Sequence, residues 1–271
     1  MGLTLSVIIV NYNGGEYLKR AVDSLSLLTV DYEIVVVDNN STDNSLSVLP
    51  LRSNLKIIKN EKNVGFGVAN NLGVMKCSGD VILLMNNDAA LLEDIGSFVK
   101  LVRRDKKTVW SCSMVGEDKK VRPSFGRFPS SFLDILLPSR LYSGEGADES
   151  SCVDWIEGSL MLTSRVLWER VGGFDENIFM YGEDIILCKE MKEVGAKFVV
   201  DPDVKYFHRG GFDESKKGNI YIGFKSYFSK YYSGVRRKYY LTLISAVVFL
   251  KYSLGVLFKN RTAADSYRKA M

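Results

Sequence analysis

Gly79-Asp80-Val81-Ile82-Leu83-Leu84-Met85-Asn86-Asn87-Asp88 decides the fold, because an unbroken apolar run, Val81 to Met85, stops abruptly at three polar side chains. A run of that length is too short for most helices and suits a strand covered on both faces in a parallel sheet. Open α/β sheets bind ligands in the crevice outside the carboxyl ends of their strands. Asn86, Asn87 and Asp88 therefore stand where a charged ligand could be held. Asp88 has a second reading, as the N-cap of a helix starting near Leu91.

The same pattern recurs upstream. Leu5 to Val10 is a β-branched apolar strand that breaks at the turn formers Asn11-Tyr12-Asn13-Gly14-Gly15. Glu16 to Leu28 then carries Tyr17, Leu18, Ala21, Val22, Leu25 and Leu28 at helical spacing. Ile34 to Val37 is a second strand ending at Asp38-Asn39-Asn40-Ser41-Thr42-Asp43, with a helix expected from Asn44. Leu55 to Ile58 is a third, and Asn63 to Asn71 leads into a helix ending near Gly79. Alternating strands and helices predict a right-handed parallel α/β sheet, with every polar cluster along one edge.

Two of those clusters fit nucleotide recognition. Asp38, at a strand end, is placed to accept a hydrogen bond from a base or ribose hydroxyl. Gly65 and Gly67 suit close approach of backbone to a ligand at a helix N-terminus. The spacing matches neither G-x-G-x-x-G nor G-x-x-x-x-G-K-[ST], which excludes the dinucleotide fingerprint and the P-loop. A mononucleotide or nucleotide-sugar site stays open, beside the plainer reading of glycines that serve turns.

Composition sets the limits. A chain of 271 residues with 46% hydrophobic content can bury a full core, as one large α/β domain plus an appendage. Cys77, Cys112, Cys152 and Cys188 are scattered with no C-x-x-C pair, which argues against a disulfide framework or zinc site and for a reducing compartment. From Met1 the chain runs into a strand with no basic leader, so a cytoplasmic location is expected. Of the net charge of +4, residues from Val235 onward carry eight Lys or Arg against Asp265, a local +7 that leaves −3 elsewhere. A basic excess confined to the tail argues against a nucleic-acid partner.

The second half is less regular. From Gly116 to Ser151 isolated aromatics alternate with charged and turn residues, which reads as a functional segment, a lid or a surface excursion. Trp155 precedes a strand, Gly158 to Thr163, and could stack on a sugar or pack at the strand start. Glu157 stands where a small or neutral residue is expected, and the sequence offers no reason for it. Ser164 to Val171 reads as a helix stopped by Gly172-Gly173. Glu183-Asp184 opens a helix through Val194, where the macrodipole favours ionised carboxylates. Phe198 to Val200 reads as a strand, Asp201-Pro202-Asp203 as a turn and Val204 to His208 as a further strand ending at the only histidine, before Arg209-Gly210-Gly211. Arg236-Arg237-Lys238 leads into the largely apolar stretch Tyr239 to Phe258, flanked again by Lys259 and Arg261. It reads as a membrane-associated helix on a cytoplasmic leaflet, with a single span and a buried hairpin as alternatives.

Together these stretches resemble family 2 inverting glycosyltransferases of the GT-A fold, in their rhamnosyltransferase-like branch. The resemblance rests on Val7 to Asn13, Val36 to Asp43, Asn63 to Asn71, Leu84 to Asp88, Trp155 to Leu162, Gly172 to Glu176 and Phe179 to Cys188. It implies a mostly parallel nucleotide-binding sheet flanked by helices. The domain would span 1–234, its nucleotide-binding half to about 115 and its acceptor-binding half from about 116, followed by a membrane-associated tail over 235–271. The implied donor-binding residues are Val10, Tyr12, Asp38, Asn63, Gly65, Gly67, Asn70, Asn86 and Asn87, with Trp155 and Gly158 toward the acceptor. Asp88 would take the last place of the metal-binding D-x-D motif, holding Mg2+ or Mn2+ with His208. The first acidic place is taken by Asn86. Asp184 would be the general base and Glu183 its orienting neighbour. The expected partners are a nucleotide-sugar donor, rhamnosyl on dTDP or UDP being the specific form considered, and a lipid-linked saccharide acceptor. A nucleotidyltransferase would place a basic, glycine-rich loop after the first strand, and Asn11 to Gly15 has no base. An inactive binding module would have no need to keep Asp38, Asp88, Asp184 and His208 together.

Overall fold

The four apolar runs that begin the chain are β1 (Leu5–Asn11), β2 (Tyr32–Asp38), β3 (Leu55–Lys59) and β4 (Val81–Asn86), parallel throughout and ordered β3-β2-β1-β4. They are seen in a computed structural model that describes residues 4–143, 153–210 and 217–271. Met1, Ser151, Cys152 and Gly211, named above, lie outside the described residues. Successive side chains leave a strand on opposite faces, and both faces find cover. Ile8, Val35, Val37, Ile82 and Leu84 pack under α2 (Phe66–Met75), α5 (Arg165–Val171) and α6 (Glu183–Glu193). Val7, Ile9, Ile34, Val36 and Leu83 pack under α1 (Gly15–Ser24) and α3 (Gly96–Arg104).

Beyond β4 the sheet is mixed rather than purely parallel. β11 (Leu160–Ser164) runs antiparallel between β4 and β6 (Thr108–Val115). β12 (Lys197–His208) returns parallel to β6, and β5 (Ala89–Leu91) closes the edge antiparallel to β12. β7 (Val121–Arg122) pairs with β6 off this path. The irregular stretch after Gly116 folds in part as a small separate sheet, β10-β8-β9, from β8 (Phe125–Gly126), β9 (Tyr142–Ser143) and β10 (Trp155–Ile156), beside α4 (Phe132–Leu136).

Several local expectations are corrected. No helix follows Asp43: its carboxylate instead takes the Ser45 N–H and hydroxyl and the Gly15 N–H, which satisfies a turn in place of a first helical turn. No helix starts near Leu91 either. Asp88 leads into β5, so its capping reading falls. Asp201-Pro202-Asp203 is a bulge within the continuous strand β12, held by Asp201 Oδ1 accepting the Asp203 and Val204 N–H groups. The first helix is shorter than its periodicity, ending at Ser24 before a 3₁₀ turn over Leu25–Leu27.

The tail does not stand apart. α7 (Lys217–Tyr231), α8 (Gly234–Leu257) and α9 (Arg261–Lys269) close against each other and onto α4 and α6, so that Ile244, Val247, Val248 and Tyr267 share one core with Tyr221, Phe224 and Phe228. The Phe228 and Tyr240 rings stack with centroids 4.3 Å apart, and the Gly218 N–H donates to Ser266 Oγ at 2.8 Å. The outer face of α8 and the turn after it leave Phe249, Leu250, Leu254, Val256, Leu257 and Phe258 exposed.

Candidate active site

β5 and β12 build the first half of the site. Their antiparallel register sets His208 opposite Ala89, which brings His208 Nε2 to 3.1 Å from Asp88 Oδ1. Asn86, ending β4, puts Nδ2 3.2 Å from the same ring nitrogen, while His208 Nδ1 faces Met114 Sδ at 3.3 Å. Asn86 Oδ1 is buried with no hydrogen-bond partner. A carboxylate, an imidazole and a side-chain amide thus converge. That donor set suits a hard cation that also shares ligand oxygens, since among the described residues no third His, Cys, Asp or Glu completes an all-protein cage.

α6 builds the second half. It starts at Glu183 after Gly182, whose φ of 91° lies in the left-handed region. A Cβ there would stand 2.5 Å from the Cα of Gly223 on α7. This backbone-to-backbone contact fixes the turn that aims the acidic pair. Asp184 Oδ1 accepts the Ile185 N–H at 2.8 Å, and the Gly158 peptide also supports the carboxylate. Glu183 is only 6% exposed and its Oε2 has no partner. Burial works against the macrodipole here: it raises the pKa of each above its ordinary value, and the Asp184 charge raises Glu183 further. Glu183 is the more buried of the two, Asp184 being half-buried.

The two halves meet at an open cavity of about 830 Å³, lined by Asn86, Asp88, Trp155, Glu157, Gly158, Glu183, Asp184, His208 and Arg209 among others. Glu157, left without a reason by the sequence, proves to be part of this wall. Burial pushes its pKa up to about 7, His208 opposing the rise and Asp184 and Asp88 adding to it. Arg209 donates its N–H to Asp88 O at 3.1 Å and lays its guanidinium 4.4 Å from the centre of the Tyr17 ring. Trp155 is 2% exposed, donates its indole N–H to Arg127 O and meets Tyr142 edge-on, so packing accounts for it better than sugar stacking does.

Val10, Tyr12, Asp38, Asn63, Gly65, Gly67, Asn70 and Asn87 are not among the residues lining that cavity. Tyr12 is half exposed past the end of β1. Asp38 is nearly buried, accepting from Asn11 Nδ2 at 2.8 Å and from Ser41 Oγ at 2.6 Å. Asn87 donates to Asn11 Oδ1 at 3.0 Å, which ties the Asp38 network to the end of β4. Asn11, unassigned by the sequence reading, is the fully buried hub of this network; an amide ending a buried apolar strand was its available signal. Asn63 Oδ1 takes the Gly65 N–H, and Asn70, 1% exposed, donates to Phe66 O.

The two glycines have a packing use beside the one expected. Gly65 sits at φ 89°, and a Cβ there would lie 2.3 Å from the carbonyl oxygen of Phe179. At Gly67 it would lie 2.9 Å from Phe174 Cβ. Both admit the close approach of the chain segment before α6.

The sequence model of the family described as "Glycosyl transferase family 2" matches residues 6–145. Rhamnosyltransferase WbbL of Escherichia coli is 26% identical over 240 residues, 83% of this chain and 86% of its own length. N-acetylglucosaminyl-diphospho-decaprenol L-rhamnosyltransferase of Mycobacterium tuberculosis is 29% identical over 235 residues, 75% of each chain. Among solved structures, the mannosyltransferase PcManGT of Pyrobaculum calidifontis, in complex with GDP-Man and Mn2+, superposes with a TM-score of 0.59 at 16% identity, covering 98% of this chain and 85% of that one.

Proposed function

We propose a reaction for a chain that belongs to glycosyl transferase family 2 and has the GT-A fold: inverting transfer of a hexosyl unit from a nucleotide-diphosphate sugar to a saccharide hydroxyl. Its specific form is rhamnosyl transfer from a dTDP or UDP donor to a lipid-linked acceptor, a reading supported by the names of the two rhamnosyltransferase relatives. The observation that carries it is that Asp184 and the Asp88–His208 pair open onto one cavity from opposite elements.

Asp184 takes the acceptor hydroxyl proton as the oxygen attacks the anomeric carbon, from the face opposite the departing diphosphate. Burial makes it a stronger base than an exposed Asp, and Glu183 behind it, held protonated by its own burial, adds no charge against the reaction. Asp88 and His208, with Asn86 beside them, would hold Mg2+ or Mn2+. When bound, the ion offsets the negative charge on the leaving diphosphate. Arg209 offers a cation at the same edge, and Tyr12 and the Asn11–Asp38 network stand on the side of the nucleoside.

The tail fits the membrane reading as a helix lying on the surface. α8 is long and apolar enough to cross a bilayer, yet one face is buried against α7 and α9. Its exposed Phe249, Leu250 and Leu254 lie between basic residues at both ends, which suits the interface of an anionic cytoplasmic leaflet. Turnover of a panel of nucleotide sugars by the purified full chain, with the product anomer assigned by NMR, tests the reading. Asp184→Asn should lower transfer by about a hundredfold to ten-thousandfold while donor binding persists. Undiminished transfer by that variant, or retention of the anomeric configuration, would refute the mechanism.

A further inference from the structure

A second carboxylate reaches the cavity besides Asp184, and its setting is built rather than incidental. Glu157 leaves β10 with its N–H bonded to Ser124 O at 2.8 Å. Its side chain is hydrogen bonded to Ser159, whose hydroxyl pairs with Tyr206 Oη at 2.8 Å, and Tyr206 is reached in turn by the Ser124 hydroxyl. Ser124, Ser159 and Tyr206 are 2%, 1% and 0% exposed. A polar chain is thus threaded between the strands, and its Glu157–Ser159 end opens on the cavity. Among the described residues no Lys or Arg forms an ion pair with Glu157, and Asp88 and Asp184 lie close enough to repel it. A buried polar network holding an acid beside two others works against stability. A solvated surface position would avoid that.

We propose that Glu157 is a sugar-binding residue, its carboxylate accepting hydrogen bonds from hydroxyls of the saccharide seated between Asp184 and the Asp88–His208 pair. Ser159 and Tyr206 lock its orientation, so that the oxygens are presented before the sugar arrives. A carboxylate accepts from two hydroxyls at once, which makes it a reader of sugar configuration. The inference rests on the transferase reading, and the test below distinguishes a donor sugar from an acceptor sugar. Both supply the same hydroxyl chemistry.

Glu157→Ala and Glu157→Gln, made in the full chain and checked for unchanged thermal unfolding, separate these cases. Affinities for dTDP or UDP alone, and for the nucleotide sugar that the wild type turns over, are measured by calorimetry; KM and kcat are measured for each substrate. Losing hydrogen bonds to a charged group should cost Glu157→Ala about 10- to 100-fold, with Glu157→Gln intermediate because it keeps one accepting oxygen. If the loss falls on the nucleotide sugar and not on the bare nucleotide, the sugar is the donor's. If it falls on acceptor KM with donor affinity unchanged, it is the acceptor's. Both KM values within about twofold of wild type in Glu157→Ala, or a fall in kcat alone, would overturn the proposal. A wild-type protein that turned over no nucleotide sugar would overturn the transferase reading first and this inference with it.

Discussion

Replacing Gly65 by alanine separates the two uses a glycine can have in a nucleotide-binding loop. Its backbone lies at φ 89°, and an added methyl would stand 2.3 Å from the Phe179 carbonyl oxygen, the acceptor of the Phe66 N–H at 3.1 Å. The left-handed conformation costs a non-glycine residue about 1–2 kcal/mol, and forcing the segments apart about 1–3 kcal/mol more. The expected destabilisation is therefore about 2–5 kcal/mol. Gly15 is the internal control: its φ of 52° is left-handed too, but a Cβ there meets nothing within 4 Å. Gly15→Ala should lose only the conformational part, about 1–2 kcal/mol. Urea unfolding of both variants and the wild type, followed by circular dichroism, reads the difference directly. Equal losses at the two positions, or an unchanged Gly65→Ala stability with nucleotide affinity alone reduced, would refute the packing role and restore the ligand-facing one.

The acidic pair predicts a pH dependence. Because burial raises the Glu183 pKa above its ordinary 4.5, the folded state holds its proton in a window where the unfolded chain has lost it. Stability therefore falls as pH rises from about 4.5 through the raised value. Glu183→Gln should flatten this fall, and an unchanged slope in urea titrations between pH 5 and 9 would contradict the burial account. Asp88→Asn should abolish the rise in melting temperature produced by Mn2+ in the presence of a nucleoside diphosphate; a shift that survives would remove Asp88 from the ion. Ending the chain after Ser233 removes Ile244, Val247, Val248 and Tyr267 from the shared core. At about 1.5–3 kcal/mol for each large side chain, that loss rivals the whole stability of a typical domain, about 5–15 kcal/mol. Aggregation is expected, and a soluble, folded product would show that the tail is separable after all.

The parallel half of the sheet was legible because strands covered on both faces need unbroken apolar runs, and the runs at Leu5, Ile34 and Val81 have no competing reading. Asp88, His208 and Asp184 were legible only through family resemblance, since nothing local tells a carboxylate in a helical first turn from a cap. Three things escaped. The Asp43 turn imitates an N-cap because the same side-chain oxygens serve both. The fate of the tail depended on partners far off in sequence: composition showed an apolar helix, but not that Phe228 and Tyr240 would stack. Glu157 was conspicuous as an oddity, yet its meaning lies in Ser159 and Tyr206, brought together only by strand pairing.

The bulge in β12 governs how the site can tolerate insertions and deletions. Against β6, Asp201 faces Cys112 and Lys205 faces Ser113, so the three residues 202–204 have no counterpart. Three is odd, and side chains alternate between faces one residue at a time. The bulge therefore inverts the alternation of everything after it and leaves His208, rather than Phe207, directed at Asp88. Losing a single residue from 202–204 would have to be absorbed within the bulge for Lys205 to stay opposite Ser113 and His208 opposite Ala89; a slip of the pairing by one residue instead would turn His208 to the other face with every other residue of the site still present.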